Sequence, residues 1–573
     1  MFVSAGEGQD SQSIKTYQAR KKILLALMML AMASLIFRAV YLQVIDKSFL
    51  QKQARRQYVE TVSVPAYRGK IQDRRGNSLA ISTPVQSIWL NPFKVQPQDR
   101  DKLFQAARLL KLNKRQLEKI LKNKAGKSFV YLKRRVNPDV AEKLKGMKIS
   151  GMYFEKALKR FYPAGEITGH LLGFTNVDDV GQEGLERAYE ASLKGIAGKK
   201  RVIKDGKGRV IKDVENIREP VAGHDLTLSI DERIQYLAYR ELRSAFIRHK
   251  AHSAALIVLD AKTGEVLAAV NQPAFNPNRR SGLSARLFRN RAMVDVFEPG
   301  STIKPLIMAA ALDGGFARLN EKIETHGFYK VGRQLVKDSH NYKTLSLTGV
   351  LQKSSNVAIS KIALRMPSEK MWSVFNQLGF GAATGIGFPG ETHGKLRDYQ
   401  SWREFEQATM SFGYGLSVSV LQLARAYTAL ADDGMLHSVS LLPRETDEFA
   451  ERVFSKKTVR RVRKMMEAVV SQDGTAPQAQ VPGYRVAGKT GTVKKLAAGG
   501  GYTKKRYIAV FAGMAPASDP RFVIVVMVDD PSGKFFYGGQ VAAPVFSKVM
   551  AGALRVYGVT PDQEASMSVL LSK

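Results

Sequence analysis

Apolar residues run almost unbroken from residue 23 to residue 37, with nothing more polar than Ser34 among them. As a helix that run spans only ~22 Å, short of a hydrocarbon core of ~30 Å. Arg38 interrupts it, and Ala39, Val40, Tyr41, Leu42, Val44 and Ile45 resume the pattern. Residues 23–45 together reach ~34 Å, enough to cross, with Arg38 snorkelling to the interface beside Tyr41. The pattern therefore predicts an uncleaved anchor at 23–45 behind a tail at 1–22. A signal peptide cut after Ala31-Met32-Ala33 fits less well, because apolar character continues where a mature terminus turns polar. Lys15, Arg20, Lys21 and Lys22 precede the run, and Lys47, Lys52, Arg55 and Arg56 follow it, so charge barely orients it.

Past residue 45 the rhythm changes to short strand-like runs, turns and Lys-rich helical stretches. Residues 68–80 read as a strand, a turn at Arg75-Gly76-Asn77 and a returning strand. Residues 101–125 and 138–147 carry helical periodicity. Lys204-Asp205-Gly206-Lys207-Gly208 sits between apolar pairs and suggests a hairpin. No catalytic constellation falls within 46–225, which reads as a scaffold or interaction module.

A second domain is expected over 226–556, followed by a tail at 557–573. Asp231 precedes a helix with an apolar face of Ile234, Leu237, Leu242 and Phe246. Residues 255–260 and 265–270 flank a turn at Lys262-Thr263-Gly264, and 507–513 and 521–528 flank Ser518-Asp519-Pro520. Helical stretches separate these strand groups. An α+β domain, one antiparallel sheet flanked by helices, follows.

Composition narrows the function classes. A chain of 573 residues with 44% hydrophobic and 24% charged residues is globular and multidomain. The net charge of +38 is spread along the chain, which fits an anionic membrane face or a polymer such as cell wall better than nucleic acid. The absence of cysteine excludes disulfides and thiolate metal sites. None of the eight histidines forms H-E-x-x-H. His249 and His252, expected on one helix face at i, i+3, lack a nearby carboxylate. No metal and no cofactor is expected.

Three short polar motifs carry the chemistry: Ser301-Thr302-Ile303-Lys304, Ser354-Ser355-Asn356 and Lys489-Thr490-Gly491-Thr492. Each alone is weak; their order and contexts together are specific. On a helix Ser301 and Lys304 share a face and their tips can meet. Pro305 is tolerated only in a first turn, so it pins the motif to a helix amino terminus, where dipole and free N–H groups favour an anion. A serine nucleophile needs a base, and no histidine is placed for one. Lys304 can serve if burial or a neighbouring cation, for which Lys489 is the candidate, keeps it neutral. Ser354 can relay a proton, and the Asn356 amide can hold Lys304 and a substrate amide. Thr490 and Thr492 alternate onto one strand face. Ideal alternation sends Lys489 to the other, so its tip reaches the site only with twist or an edge position. Gly491 lets a substrate backbone approach the strand closely.

With these residues in order, the chain resembles class B penicillin-binding proteins, specifically the division-type transpeptidases of Gram-negative bacteria. The likeness extends to Val296-Phe297-Glu298-Pro299-Gly300-Ser301-Thr302, Leu351-Gln352-Lys353-Ser354-Ser355-Asn356-Val357, Ser411-Phe412-Gly413-Tyr414-Gly415, residues 68–80 and Gly173-Phe174-Thr175-Asn176-Val177-Asp178. It runs from the anchor to about residue 556. The resemblance implies a single-pass inner-membrane protein with residues 1–22 in the cytoplasm. An elongated, non-catalytic, dimerisation-like pedestal over 46–225 and a periplasmic transpeptidase domain would follow. It implies that Ser301 attacks the D-Ala-D-Ala carbonyl of a peptidoglycan stem peptide, with Lys304 as base and Ser354 and Asn356 as relay. Lys489 would join the catalytic group, and with Thr490 and Thr492 bind the terminal carboxylate. N–H groups of Ser301 and Thr492 would form the oxyanion hole, and β-lactams would acylate Ser301. Implied partners are stem peptides of the lipid-linked precursor polymer, the membrane, a polytopic glycosyltransferase and other division proteins. The alternatives are an elongation-type relative, disfavoured by Asn356 where that family often carries Asp, and a β-lactam sensor or scaffold without turnover. A class A enzyme needs a glycosyltransferase motif, and a β-lactamase is usually about half this length.

Overall fold

The computed structural model describes residues 9–49, 59–123, 127–204, 210–496 and 501–563. The amino-terminal helix Gln9–Val40 continues through a π-helical turn, Tyr41–Ile45. Within the stretch Tyr17–Ile45 an 18-residue window reaches a mean hydropathy of 2.4, and by length and composition the stretch suits a membrane crossing. The Arg38 guanidinium lies 5.4 Å from the Tyr41 ring centre, so the cation that breaks the apolar run is held at its end.

The following module is built on the long strand Ser78–Leu90, which pairs with Ile71–Gln72, Val130–Val136 and Met152–Phe161. The turn expected at Arg75-Gly76-Asn77 is present. Asp73 Oδ1 accepts from the Arg75 and Asn77 N–H groups at 2.9 and 2.8 Å, and Gly76 has φ +85°. The periodicity over 101–125 resolves into two helices, Arg100–Leu109 and Lys114–Asn123. Lys111 turns left-handed at φ 54°, and Asn113 and Gln116 bond reciprocally at 2.7 and 3.1 Å to start the second helix. Ile88, Leu90, Leu103, Leu117, Leu132 and Leu144 form a small separate core.

A three-stranded antiparallel sheet joins Val59–Val64, Gly198–Lys204 and Val210–Arg218. The turn of the hairpin expected there, residues 205–209, lies outside the described residues, as do parts of both expected tails. Where the module's parts meet, Arg68 Nε and Arg160 Nε each bond the fully buried Glu186 carboxylate at 2.6 Å. The strand Leu226–Thr227 still pairs with Ile71–Gln72, so the chain leaves this module just before Asp231.

The larger domain carries six helices that matter here: α1 Glu232–Arg248, α2 Lys304–Asp313, α3 Asn356–Ala363, α4 Val420–Ala431, α5 Lys456–Val470 and α6 Ala543–Val556. Its strands are β1 Ser253–Asp260, β2 Val266–Gln272, β3 Ala487–Leu496, β4 Tyr502–Ala515 and β5 Phe522–Asp529. They form one antiparallel sheet in the order β2-β1-β5-β4-β3. Every residue of β1, β2 and β5 is buried, which explains their unbroken apolar character: helices cover both faces. α1 with α6, and α4 with α5, pack on the sheet as pairs. Asp231 caps α1, accepting from Arg233 N at 3.1 Å. His249 only terminates α1, and Lys250 turns left-handed at φ 47°, so His252 is not on the helix face expected for it. It bonds Asp529 Oδ2 at 3.2 Å instead. β3 ends the sheet, leaving one side open to the loops that carry the other motifs.

Candidate active site

Ser301 sits half-buried on a single 3₁₀ turn, Gly300–Ile303, that runs directly into α2. Pro305 occupies the first turn of α2, where its missing N–H costs nothing. Residues Lys304 through Ala311 are all buried, so α2 is a core helix with the Ser301 turn at its surfacing end. Glycines clamp that turn. Gly300, at φ +57°, donates its N–H to Gly413 O at 3.2 Å, and a Cβ on Gly413 would lie 2.2–2.6 Å from Gly300 backbone atoms. On the other side a Cβ on Gly491 would stand 3.1 Å from Pro299 O and from Thr302 Cγ2. Gly491, expected to let a substrate backbone come close, turns its bare side to the Ser301 turn. Tyr427, fully buried on α4, donates to Thr302 O at 2.7 Å, and Thr302 Oγ1 donates to Pro299 O at 2.7 Å.

The three motifs converge on two fully buried lysines. Lys304 Nζ lies 2.5 Å from Ser354 O, 2.7 Å from Asn356 Oδ1 and 3.2 Å from Ser354 Oγ. Lys489 Nζ reaches the same Ser354 Oγ at 2.9 Å and Thr490 O at 3.2 Å. One hydroxyl thus stands between two amines. Alternation along β3 puts Lys489 with Gly491 on the side packed against the Ser301 turn, and its long stem carries the tip on to Ser354. No hydrogen bond joins Ser301 Oγ to Lys304 Nζ among the described residues. The Lys304 tip is turned to the 354–356 loop.

Burial, followed by the nearby Lys489 charge, drives Lys304 well below the usual lysine range, while the Asp338 carboxylate pulls the other way. Burial lowers Lys489 to about 7. A neutral amine has two N–H bonds and one lone pair. The two carbonyl oxygens around Lys304 take the N–H groups, and the lone pair remains for a hydroxyl.

The rim completes the cleft. Thr490 and Thr475 hydroxyls bond at 2.9 Å, and Thr492 Oγ1 accepts from Gly538 N at 3.0 Å, which leaves its own O–H free to donate. A cavity of about 510 Å³ opens beside Asn356, walled by Met410, Phe412, Tyr414, Lys494 and Tyr502. Three contributors carry no signal in the three motifs: Gly413 lies within Ser411-Phe412-Gly413-Tyr414-Gly415, Thr475 sits in an unremarkable loop, and Asp338 binds the start of α3 from a distant hairpin.

Comparison with known proteins agrees with this architecture. Residues 254–551 match the penicillin-binding protein transpeptidase domain, and residues 63–228 match the penicillin-binding protein dimerisation domain. The chain is 42% identical over 562 residues to the probable peptidoglycan D,D-transpeptidase PenA of Neisseria meningitidis serogroup A, covering 97% of this chain and 96% of that one. It is 43% identical over 548 residues to the peptidoglycan D,D-transpeptidase FtsI of Escherichia coli K12, covering 95% and 92%. The apo transpeptidase domain of penicillin-binding protein 3 from Burkholderia pseudomallei superposes with a TM-score of 0.54 at 45% identity, over 59% of this chain and 98% of that one. These matches cover both modules of the fold, and the chain belongs to the penicillin-binding protein transpeptidase family.

Proposed function

We propose that this protein is a peptidoglycan D,D-transpeptidase of the division septum that works through a Ser301 acyl-enzyme and is inhibited by β-lactams. The observation that carries the reading is the pair of fully buried lysines sharing the Ser354 hydroxyl, one of which, Lys304, lies one turn of helix from Ser301. A buried amine forced toward neutrality is the base that a serine without histidine needs.

In the first half-reaction Ser301 Oγ attacks the carbonyl carbon of the D-Ala-D-Ala bond, and its proton passes to Lys304 Nζ. Backbone N–H groups of Ser301 and Thr492 receive the developing oxyanion, each worth ~3–4 kcal/mol where such donors have been removed elsewhere. The terminal carboxylate sits against Lys489 and the Thr490 and Thr492 hydroxyls. Ser354, between the two amines, hands its proton to the departing D-Ala nitrogen as the C–N bond breaks and takes in its place the proton held on Lys304 Nζ, which returns to neutral. An amine of a neighbouring stem then attacks the ester and gives up a proton to Lys304 Nζ, which passes it to Ser301 Oγ as the C–O bond breaks, and the cross-link is formed.

The amino-terminal helix anchors the chain in the inner membrane, and both folded modules stand in the periplasm, where stem peptides are presented. A polytopic glycosyltransferase that extends the glycan is the partner this chemistry requires, alongside other division proteins. Covalent labelling by a fluorescent penicillin, lost in Ser301→Ala, tests the nucleophile; labelling that persists in that variant overturns it. Release of D-Ala from a stem-peptide substrate separates an enzyme from a sensor. Filamentation on depletion indicates septal synthesis, whereas rounding would assign the protein to elongation.

A further inference from the structure

Asp338 lies outside the three motifs, just past the short strand Gln334–Lys337, yet its carboxylate meets the start of α3 at three points. Oδ1 accepts from the Asn356 and Val357 N–H groups at 2.5 and 3.0 Å, and Oδ2 accepts from the Ser355 hydroxyl at 2.5 Å. Ser355 Oγ in turn accepts from Ala358 N at 3.0 Å. The first N–H groups of a helix have no partners inside it and carry partial positive charge, so a carboxylate there is favoured twice over.

The consequence for the site is geometric. Ser354, immediately before the capped residue, is held at φ 58°, a left-handed conformation that costs a non-glycine residue about 1–2 kcal/mol. That turn aims both the Ser354 carbonyl and its hydroxyl at the lysines, and the adjacent Asn356 Oδ1 completes the cradle of Lys304. The charged and titratable groups around Lys304 come from three directions. Lys489 reaches in from β3 through the shared Ser354 hydroxyl, Tyr427 from α4 bonds Thr302 O alongside, and Asp338 faces it across the start of α3. Two amines therefore answer to one carboxylate.

We infer that Asp338 is a positioning residue of the acyl-transfer reaction: it holds Ser354 and Asn356 against Lys304 and offsets the charge of the lysine pair. The inference rests on Lys304 acting as the base. With one carboxylate for two buried amines, one ammonium stays uncompensated and gives up its proton. The carboxylate also limits how far this goes, because it pulls Lys304 upward while burial and Lys489 push it down. Without Asp338, Lys304 stays neutral to lower pH.

The test is the second-order rate constant for acylation by a fluorescent penicillin, measured against pH in the full-length protein. Asp338→Asn is expected to lower the plateau about 10–100-fold, as loss of catalytic alignment does, and to move the acid limb to lower pH. Asp338→Glu, which keeps the charge, is expected to return the acid limb to its wild-type position. A plateau and acid limb both unchanged in Asp338→Asn would overturn the inference. So would a lower plateau with a lower melting temperature but an unmoved acid limb, since that marks a helix cap and nothing more. Normal labelling of Lys304→Arg would instead remove the base assignment itself, a result distinct from either.

Discussion

Gly413→Ala tests whether the nucleophile turn is clamped as tightly as the structure indicates. Gly413 has φ +82°, and a Cβ there would meet Gly300 O at 2.2 Å, Gly300 N at 2.4 Å and Gly300 Cα at 2.6 Å. All three are backbone atoms of the residue preceding Ser301, so no side chain can swing aside. Ordinary contact begins near 3.4 Å, and the two segments must separate by about 1 Å. The left-handed backbone alone costs alanine about 1–2 kcal/mol. A displacement of about 1 Å at a reacting group costs roughly 10²-fold in rate. Gly385→Ala is the matched control, because Gly385 has φ +79° and nothing within 4 Å of an added Cβ. Both variants are expected to lose melting temperature from strain. Only Gly413→Ala is expected to lose acylation by fluorescent penicillin, by about two orders of magnitude. Equal acylation rates in the two variants would refute the clamp, because strain without overlap would then account for everything.

Lys304→Arg is expected to abolish acylation, since a guanidinium cannot become a neutral base and does not fit a site built for one amine; stopped-flow acylation that matches wild type would remove Lys304 from the role. Burial holds Lys489 at about 7 in the folded state against roughly 10.4 unfolded, so its buried positive charge penalises folding fully below pH 7. That penalty fades as pH rises toward 10, so wild type is expected to gain on Lys489→Met over this window by on the order of a few kcal/mol. Parallel urea-midpoint curves for the two proteins from pH 7 to 10 would contradict it. Glu186→Gln takes the charge partner from buried Arg160 and leaves Arg68 with Glu190 alone, and should destabilise the amino-terminal module by about 3–5 kcal/mol in denaturant unfolding. The exposed Lys200–Asp213 pair provides the contrast: Lys200→Ala should cost under about 1 kcal/mol, and similar losses at both sites would undo the burial argument.

The elements legible in the sequence are those whose cause is local. The apolar run of the anchor, the α1 face behind Asp231 and the solid apolar strands β1 and β5 follow from periodicity and burial. The Ser301–Lys304 spacing and Pro305 likewise mark a helix start without any tertiary knowledge. Helix breaks are less legible. A left-handed Lys111 and a left-handed Lys250 interrupt patterns that remain periodic on paper, because nothing in a lysine announces that its φ has changed sign.

By itself the sequence determined which residues can do chemistry here and in what order they come. The tertiary structure decided which of them meet. Lys304 and Lys489 share one serine hydroxyl only because β3 is an edge strand packed on the nucleophile turn, and Gly491 and Gly413 leave the room for that packing. Asp338 and Thr475 join the site from loops with no motif of their own. A lysine loses its ordinary charge through burial and through the other charges folded against it, and both are properties of packing rather than of any stretch of chain.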